Sequence, residues 1–213
     1  MLGQSLKAME RIGPFGLQLF AGNSRPLGYF YNQVIDSSDP EAILVFLHDD
    51  LCIDDWHVGQ RLEEALDVFD VVGVAGNRRR QPHQETWWML PSRLVEGKRI
   101  LDRWDHEFLS GAIAHGQPPY ARPHMYGACP SPVALLDGVF LAARASQLQR
   151  TAVRFDPRLA FHHYDLDFCR SAAVAGLRIG TWPIALTHAS GGDSVQSPAW
   201  AESVEVYLRK WGD

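Results

Sequence analysis

Two short apolar runs separated by a helical pattern constrain the fold of this chain most strongly. The runs are AILVFLH (42–48) and VVGVAG (71–76), and continuous apolar runs of this length are typical of strands buried on both faces of a parallel sheet. Between them, apolar residues recur at helical spacing after Asp54 and Asp55, either of which suits a helix N-cap. A strand, a helix and a strand in this order predict a βαβ unit.

Further segments extend the α/β pattern on both sides of this unit. The additional predicted elements are a helix at 3–11, a strand at 16–20 (GLQLF), a helix at 29–37, a strand at 135–144 (LLDGVFLAAR), a helix from Tyr164 that stops at Gly176, a strand at 182–187, and a last helix opened by Ser197 and Pro198. Together they predict a mostly parallel sheet flanked by helices.

The middle of the chain has a different composition. Residues 77–134 are rich in proline, glycine, arginine and aromatic residues, and they show little periodicity. A stretch this long inside a domain is usually a functional insertion or lid. Its arginines at 78–80 either contact an anionic ligand or belong to a solvated loop, and Trp87 and Trp88 either stack on a ligand or cover the core.

Composition limits the classes of function. The chain has 213 residues, and its formal net charge of −5 argues against a nucleic-acid partner. No run of about 18 apolar residues predicts a membrane-spanning helix, so membrane contact would be peripheral. The three cysteines are widely spaced and form no CxxC motif, which fits a reducing cytoplasm rather than a disulfide framework.

Charged and imidazole side chains gather at the end of the first apolar run. His48, Asp49 and Asp50 follow it directly, and open α/β sheets bind ligands beyond the carboxyl ends of their strands. Clustered carboxylates repel one another unless a cation compensates them. Oxygen ligands with an imidazole suit Mg²⁺ or Mn²⁺. Alternatively, the two aspartates only cap the following helix.

Two more polar groups occur in the C-terminal half. His162, His163, Asp165 and Asp167 precede or begin a predicted helix. One of these carboxylates, Asp165, could be explained as that helix's N-cap, but the other three side chains could not. His188 ends a predicted strand and is followed by two glycines.

These motifs together resemble the inverting glycosyltransferases of the family 2 type, which have the GT-A fold. ILVFLHDD (43–50) resembles the strand that ends in the DXD-type motif, and FDPRLAFHHYDLDFCRSAAVAGLRIG (155–180) resembles the ED-containing catalytic block. ALTHASGG, DGVFLAAR and LQLFAGNSRPLGYFYNQVI resemble the strand-end histidine, an acceptor-site strand and the early strand-turn-helix segment. The resemblance covers about residues 16–76 and 125–192.

The resemblance implies a GT-A-like, Rossmann-related fold in a single domain with a long insertion. Residues 1–76 would form the nucleotide-binding half, 77–134 the insertion or lid, and 135–213 the acceptor and catalytic half. The family's first strand has no counterpart here, which implies a slot flanked by GLQLF and AILVF and a possible homo-oligomer.

The resemblance also implies roles for individual residues. Asp165 would be the general base and Asp167 a supporting acid. The remaining assignments are Asp50, His188 and His48 to the metal, Asp49, Asn23 and Asn32 to the nucleotide, and Asp137, Gly138 and His163 to the acceptor.

The implied reaction moves a sugar from a nucleoside diphosphate sugar to a glycan, a lipid-linked acceptor or a protein, with Mn²⁺ or Mg²⁺ as cofactor. A divalent ion neutralises the leaving diphosphate, and a carboxylate accepts the proton of the attacking hydroxyl. Two alternatives are a degenerate, non-catalytic nucleotide-sugar-binding protein and, less favoured, a metal-dependent hydrolase. The hydrolase would use two metal ions bridged by carboxylates.

Overall fold

A computed structural model describes residues 3, 15–22, 24–190 and 197–212 of the chain and shows a mixed α/β fold. Asn23, Gly191, Gly192 and nearly all of the helix predicted at 3–11 lie outside the described residues. No helix in the described ranges is both long enough and apolar enough to cross a membrane.

The described elements comprise five α-helices, a 3-10 helix and thirteen strands. The helices are α1 (Leu27–Ser37), α2 (Val58–Val68), α3 (Ala145–Thr151), α4 (Tyr164–Val174) and α5 (Pro198–Trp211), with the 3-10 helix at His106–Phe108. The strands are β1 (Ile43–Leu47), β2 (Leu51–Ile53), β3 (Val71–Gly73), β4 (Ala75–Asn77), β5 (Arg93–Val95), β6 (Lys98–Ile100), β7 (Leu109–His115), β8 (Arg122–Gly127), β9 (Ser131–Pro132), β10 (Leu135–Leu136), β11 (Phe140–Arg144), β12 (Ile179–Thr181) and β13 (Leu186–His188).

The first sheet contains five strands in the order β1-β11-β3-β12-β9. The predicted βαβ unit, β1-α2-β3, is present, but β11 lies between its two strands and is antiparallel to both. Strands β1 and β3 therefore run in the same direction without touching. The prediction of a mostly parallel sheet is wrong, because β11 returns along the chain between them, and only the β3–β12 pair of this sheet is parallel.

The second sheet has the order β10-β4-β7-β13-β2, with β8 paired to β7. Of its pairings, only β7–β13 is parallel. Residues 77–134 therefore contribute a central strand, β7, as well as loops. The run VVGVAG is divided at Val74 between the two sheets, and a side chain on Gly111 would come within 1.9 Å of the Val74 carbonyl oxygen.

One helix begins where the sequence predicted, and two others begin at different residues. Ser197 caps α5 with Pro198 in the first turn, as predicted. Helix α2 begins later than predicted, after His57, whose backbone N–H donates to the Asp55 carboxylate. The N-cap of α4 is His163 rather than Asp165. Residues 16–20, predicted as a strand, take part in no strand of the described structure.

Strand pairing brings three polar segments to one edge of the fold. Leu47 at the end of β1 pairs with Phe140 at the start of β11, and the His48 N–H donates to the Val139 carbonyl. His188 at the end of β13 pairs with Leu51 at the start of β2. The turn between β1 and β2, the loop before β11 and the end of β13 therefore lie side by side.

Candidate metal centre and groove

The polar cluster at this edge consists of His48, Asp50 and His188. Each offers one ligand atom, and the three ligand atoms lie within 4.8 Å of one another. His188 Nε2 is 3.2 Å from Asp50 Oδ1, and His188 is nearly buried while the other two are half-buried. Because β2 pairs with β13, residues 138 positions apart in the sequence form one site.

The electrostatics of the cluster favour a charged carboxylate beside a neutral imidazole. Burial alone raises the pKa of Asp50, but the hydrogen bond from Ser190 and the charges of His188 and His48 bring that pKa below its ordinary value. Burial lowers the pKa of His188, and Asp50 only partly offsets this effect. An ionised aspartate and an unprotonated imidazole are the forms that bind metal ions.

Tyr164 sets the orientation of the His48 ring. The Tyr164 hydroxyl donates to the Gly138 carbonyl oxygen at 2.9 Å and lies 2.9 Å from His48 Nε2. Since its one hydrogen is used, His48 Nε2 must donate to it, which leaves Nδ1 of a neutral ring with a free lone pair. Such a partner behind a histidine is typical of metal ligands.

Two imidazoles and one carboxylate could together hold a divalent ion. The two predicted cofactors, Mn²⁺ and Mg²⁺, both stay predictions.

The cluster lies on a groove of about 1660 Å³. One wall is formed by residues 15–22 and the other by residues 42–50, which include strand β1. Both segments that the sequence predicted would flank a slot, GLQLF and AILVF, line this groove, but GLQLF forms no strand there. The exposed rings of Trp56 and Phe161 also line it, and Phe161 stacks against His48 with ring centroids 6.1 Å apart. The groove is therefore large enough and aromatic enough for a nucleotide-sized ligand.

Asp165 is connected to the cluster through the loop before β11. Its Oδ2 accepts the Gly138 N–H at 2.9 Å, and Gly138 also accepts the Tyr164 hydroxyl that contacts His48. A side chain at Gly138 would approach Tyr164 Oη to 2.5 Å and Asp165 Cβ to 2.9 Å, so this contact requires glycine. Burial, followed by the charge of Asp137, raises the pKa of Asp165 to about 7.

The charge of Asp137 acts both on His188 of the metal cluster and on Asp165. Its Oδ2 accepts the indole N–H of Trp87 at 3.0 Å, and its Oδ1 accepts the Val139 N–H at 2.8 Å. Its charge raises the pKa of Asp165 and acts in the same direction on His188. The predicted acceptor-site pair, Asp137 and Gly138, is therefore adjacent to the predicted base.

Other predicted site residues lie elsewhere. Asn32 exchanges two hydrogen bonds with the Phe155 backbone and anchors α1. His163 is buried and its Nδ1 contacts the Ser203 hydroxyl. Asp167 is buried against Lys210 and Trp211 of α5. Asp49, by contrast, is exposed and lines the groove beside the cluster, where its charge adds to the effect of burial in raising the pKa of Tyr31.

The insertion residues singled out in the sequence have structural partners. Arg79 pairs with Asp105 at 2.5 Å, and Arg78 donates to the Glu107 backbone, which agrees with a loop role for these arginines. Trp87 is buried in the core. Sequence reasoning missed Tyr164 as the partner of His48, because 116 positions separate them and no local pattern marks the contact.

No protein-family model matches this sequence, and no curated protein matches it significantly. The functional argument therefore rests on the residues and their geometry.

Proposed function

We propose that this chain is a metal-dependent glycosyltransferase that uses a nucleoside diphosphate sugar as its donor. The observation that carries the proposal is the joint placement of His48, Asp50 and His188 on an open groove, one hydrogen-bonded loop away from Asp165. A divalent ion bound there would neutralise the charge that develops on a leaving diphosphate.

In this proposal, some side chains hold the metal ion and another accepts the proton. His48, Asp50 and His188 would hold the ion, with the His48 ring oriented by Tyr164. Asp165 would take the proton of the attacking acceptor hydroxyl, and a pKa of about 7 suits a general base near neutral pH. The Gly138 N–H holds one oxygen of this carboxylate in place.

The groove and its rim supply the donor contacts in this proposal. Trp56 and Phe161 present exposed ring faces to the groove, where a nucleobase or a sugar would stack. Asp49, exposed beside the cluster, would contact the ribose. The wide spacing of the three cysteines, without a CxxC motif, fits a reducing compartment such as the cytoplasm in this proposal.

Calorimetric titration with uridine, guanosine and thymidine diphosphates, each with and without Mn²⁺, tests the donor site. We expect at least one nucleotide to bind wild type only when Mn²⁺ is present, and Asp50→Asn to weaken that binding by about tenfold or more. Asp67→Asn is the matched control, because this exposed carboxylate lies on α2 away from the cluster. Equal nucleotide affinity in wild type and Asp50→Asn would contradict the proposal.

The donor set also favours a second candidate, a hydrolase with one metal ion. Two histidines and one carboxylate are found around single catalytic zinc ions. Such an enzyme would hydrolyse an activated ester such as bis-p-nitrophenyl phosphate in the presence of Zn²⁺ without needing a nucleotide. Hydrolysis that depends on Asp50, together with no nucleotide binding, would replace the glycosyltransferase proposal with this one.

A further inference from the structure

A row of aromatic and imidazole rings extends away from the candidate metal centre over the second sheet. We call this row the ring platform; its members are Trp104, His106, His115, His124 and Tyr126. His124 and Tyr126 lie on one face of β8, His115 ends β7, and the other two lie at and just before the 3-10 helix. Three chain segments therefore converge on one surface.

Trp104 stacks on two other rings of the platform, and His124 is tilted against it. Trp104 stacks on His106 with centroids 5.3 Å apart and an interplanar angle of 11°, and on Tyr126 at 6.3 Å and 17°. His124 contacts Tyr126 at 4.5 Å and Trp104 at 5.8 Å. Trp104 is 37% exposed although its ring stacks against two others, and His106 and His124 are also exposed, so the outer part of the platform is open to a ligand.

The platform is continuous with the site described above. The His115 ring lies 5.7 Å from that of His188, and its Nε2 is 3.4 Å from the Tyr126 hydroxyl. Tyr126 also packs on Trp87, whose indole N–H donates to Asp137. One end of the platform therefore touches a metal ligand, and its underside rests on the tryptophan that holds Asp137.

The chemistry of the platform suits a carbohydrate. Its members combine flat ring faces, which pack against the C–H faces of sugars, with N–H and O–H groups at the ring edges, which hydrogen-bond to hydroxyls. A single-stranded nucleic acid also stacks on aromatic rings, but the net charge of −5 disfavours a polyanion.

We propose that the ring platform binds a neutral glycan chain that serves as the acceptor. This identification of the acceptor class rests on the proposed function. The end of the glycan at His115 would lie beside the metal centre and Asp137, and the preceding sugar units would stack on Trp104 and His124.

Binding of the purified protein to a printed array of neutral glycans, without nucleotide or metal, tests the proposal. We expect wild type to bind a set of glycans, and Trp104→Ala and His124→Ala each to weaken binding by about tenfold. Met125→Ala is the matched control, because Met125 is 68% exposed on the same strand but alternation directs its side chain to the opposite face. Thermal melts of each variant show whether the fold is retained. Because the His124 ring is exposed, His124→Ala should leave the fold intact, so it still tests the proposal if Trp104→Ala unfolds.

Each other outcome overturns the proposal. No bound glycan on the array, unchanged binding in both ring variants, or an equal loss in Met125→Ala would exclude the platform as the glycan site. Preferential binding of oligothymidylate would assign the platform to single-stranded nucleic acid instead. Asp50→Asn separates the two proposals: it should bind glycan as wild type does while losing nucleotide. A wild type that binds glycan but no nucleotide would contradict the donor proposal alone.

Discussion

The first turn of α4 directs two aspartates into two different regions of the molecule. Asp165 faces the loop before β11, where its neighbours are the Gly138 N–H and the charge of Asp137. Asp167 faces the end of α5, where Lys210 and Trp211 donate to its carboxylate. The first region is connected to the metal cluster through Gly138 and Tyr164, whereas the second, which we call the closed region, is buried against α5.

The difference shows how a functional carboxylate is distinguished from a structural one. Lys210 Nζ is 2.8 Å from Asp167 and 2.9 Å from Asp156, so one cation compensates two acids in the closed region. Burial raises the pKa of Asp167 above its ordinary value, and the hydrogen bond and charge of Lys210 offset part of this rise. Within the described part of the chain, Asp165 accepts hydrogen bonds from backbone N–H groups and pairs with no cationic side chain, and it faces another acid. A carboxylate left in this state is available for proton transfer, whereas a compensated one is available only for packing.

The largest expected effect is on transfer by Asp165→Asn. The amide oxygen still accepts the Gly138 N–H, but the amide nitrogen cannot accept the Leu166 N–H, which the other carboxylate oxygen accepts at 2.9 Å. Donor binding should be retained, whereas transfer should fall by roughly 10²- to 10⁴-fold because the amide cannot accept a proton. The measurements are the rate of sugar transfer, or of donor hydrolysis, and the nucleotide affinity. Asp167→Asn is the control and should transfer at close to the wild-type rate. A fully active Asp165→Asn would show that Asp165 is not the base and would contradict the functional difference between the two regions. A wild type that binds the donor without transferring or hydrolysing it would favour the non-catalytic alternative.

The pH dependence of stability should also distinguish Asp165 from Asp167. Its pKa is about 7 in the folded chain against an ordinary value of 3.8, so the folded state holds this proton more tightly than the unfolded state. Its contribution to stability is complete below about pH 4 and is lost as the pH rises to about 7. Relative to Asp165→Asn, wild type should lose up to about 4 kcal/mol of unfolding free energy over this range. Urea unfolding of both proteins at several pH values measures the difference; a constant difference would show that the pKa is not raised.

The sequence predicted local elements well because their signals are local. The apolar run at 42–48 contains β1, and Ser197 followed by Pro198 marks the start of α5. The partner of β1 could not be predicted, because β11 lies nearly a hundred residues later and an apolar strand pairs equally well in either direction. The prediction of a mostly parallel sheet failed for this reason.

The candidate site could be predicted in part for similar reasons. Asp50 and His188 were found because each follows or ends an apolar strand, and such ends converge. The sequence could not predict that Asp165 and Asp167 face different regions. This difference depends on Gly138 and Lys210, which approach α4 from distant parts of the chain.

A smaller effect, on stability alone, is expected in the closed region. Asp167→Ala removes the acceptor of the Trp211 indole N–H and one partner of Lys210, and should lower the free energy of unfolding by about 3 kcal/mol. The matched control is Asp36→Ala, whose exposed ion pair with Arg154 should be worth less than about 1 kcal/mol. Urea unfolding measures both. A large loss of transfer in a folded Asp167→Ala protein would place this acid in the reaction and contradict the division between the two regions.

The smallest expected effect tests whether the closed region depends on the start of α5 as well as on its end. The Ser197 hydroxyl accepts the Trp200 N–H at 3.2 Å and so satisfies one of the free N–H groups of the first turn. Ser197→Ala should lower the free energy of unfolding by about 1 kcal/mol, and Ser197→Asp should retain the cap because its carboxylate also accepts this N–H. Transfer and nucleotide affinity should be unchanged in both variants, since α5 contacts α4 at Asp167 and Arg170. If Ser197→Ala instead weakened nucleotide binding at unchanged stability, the two sides of α4 would be coupled, and the closed region would take part in holding the donor site.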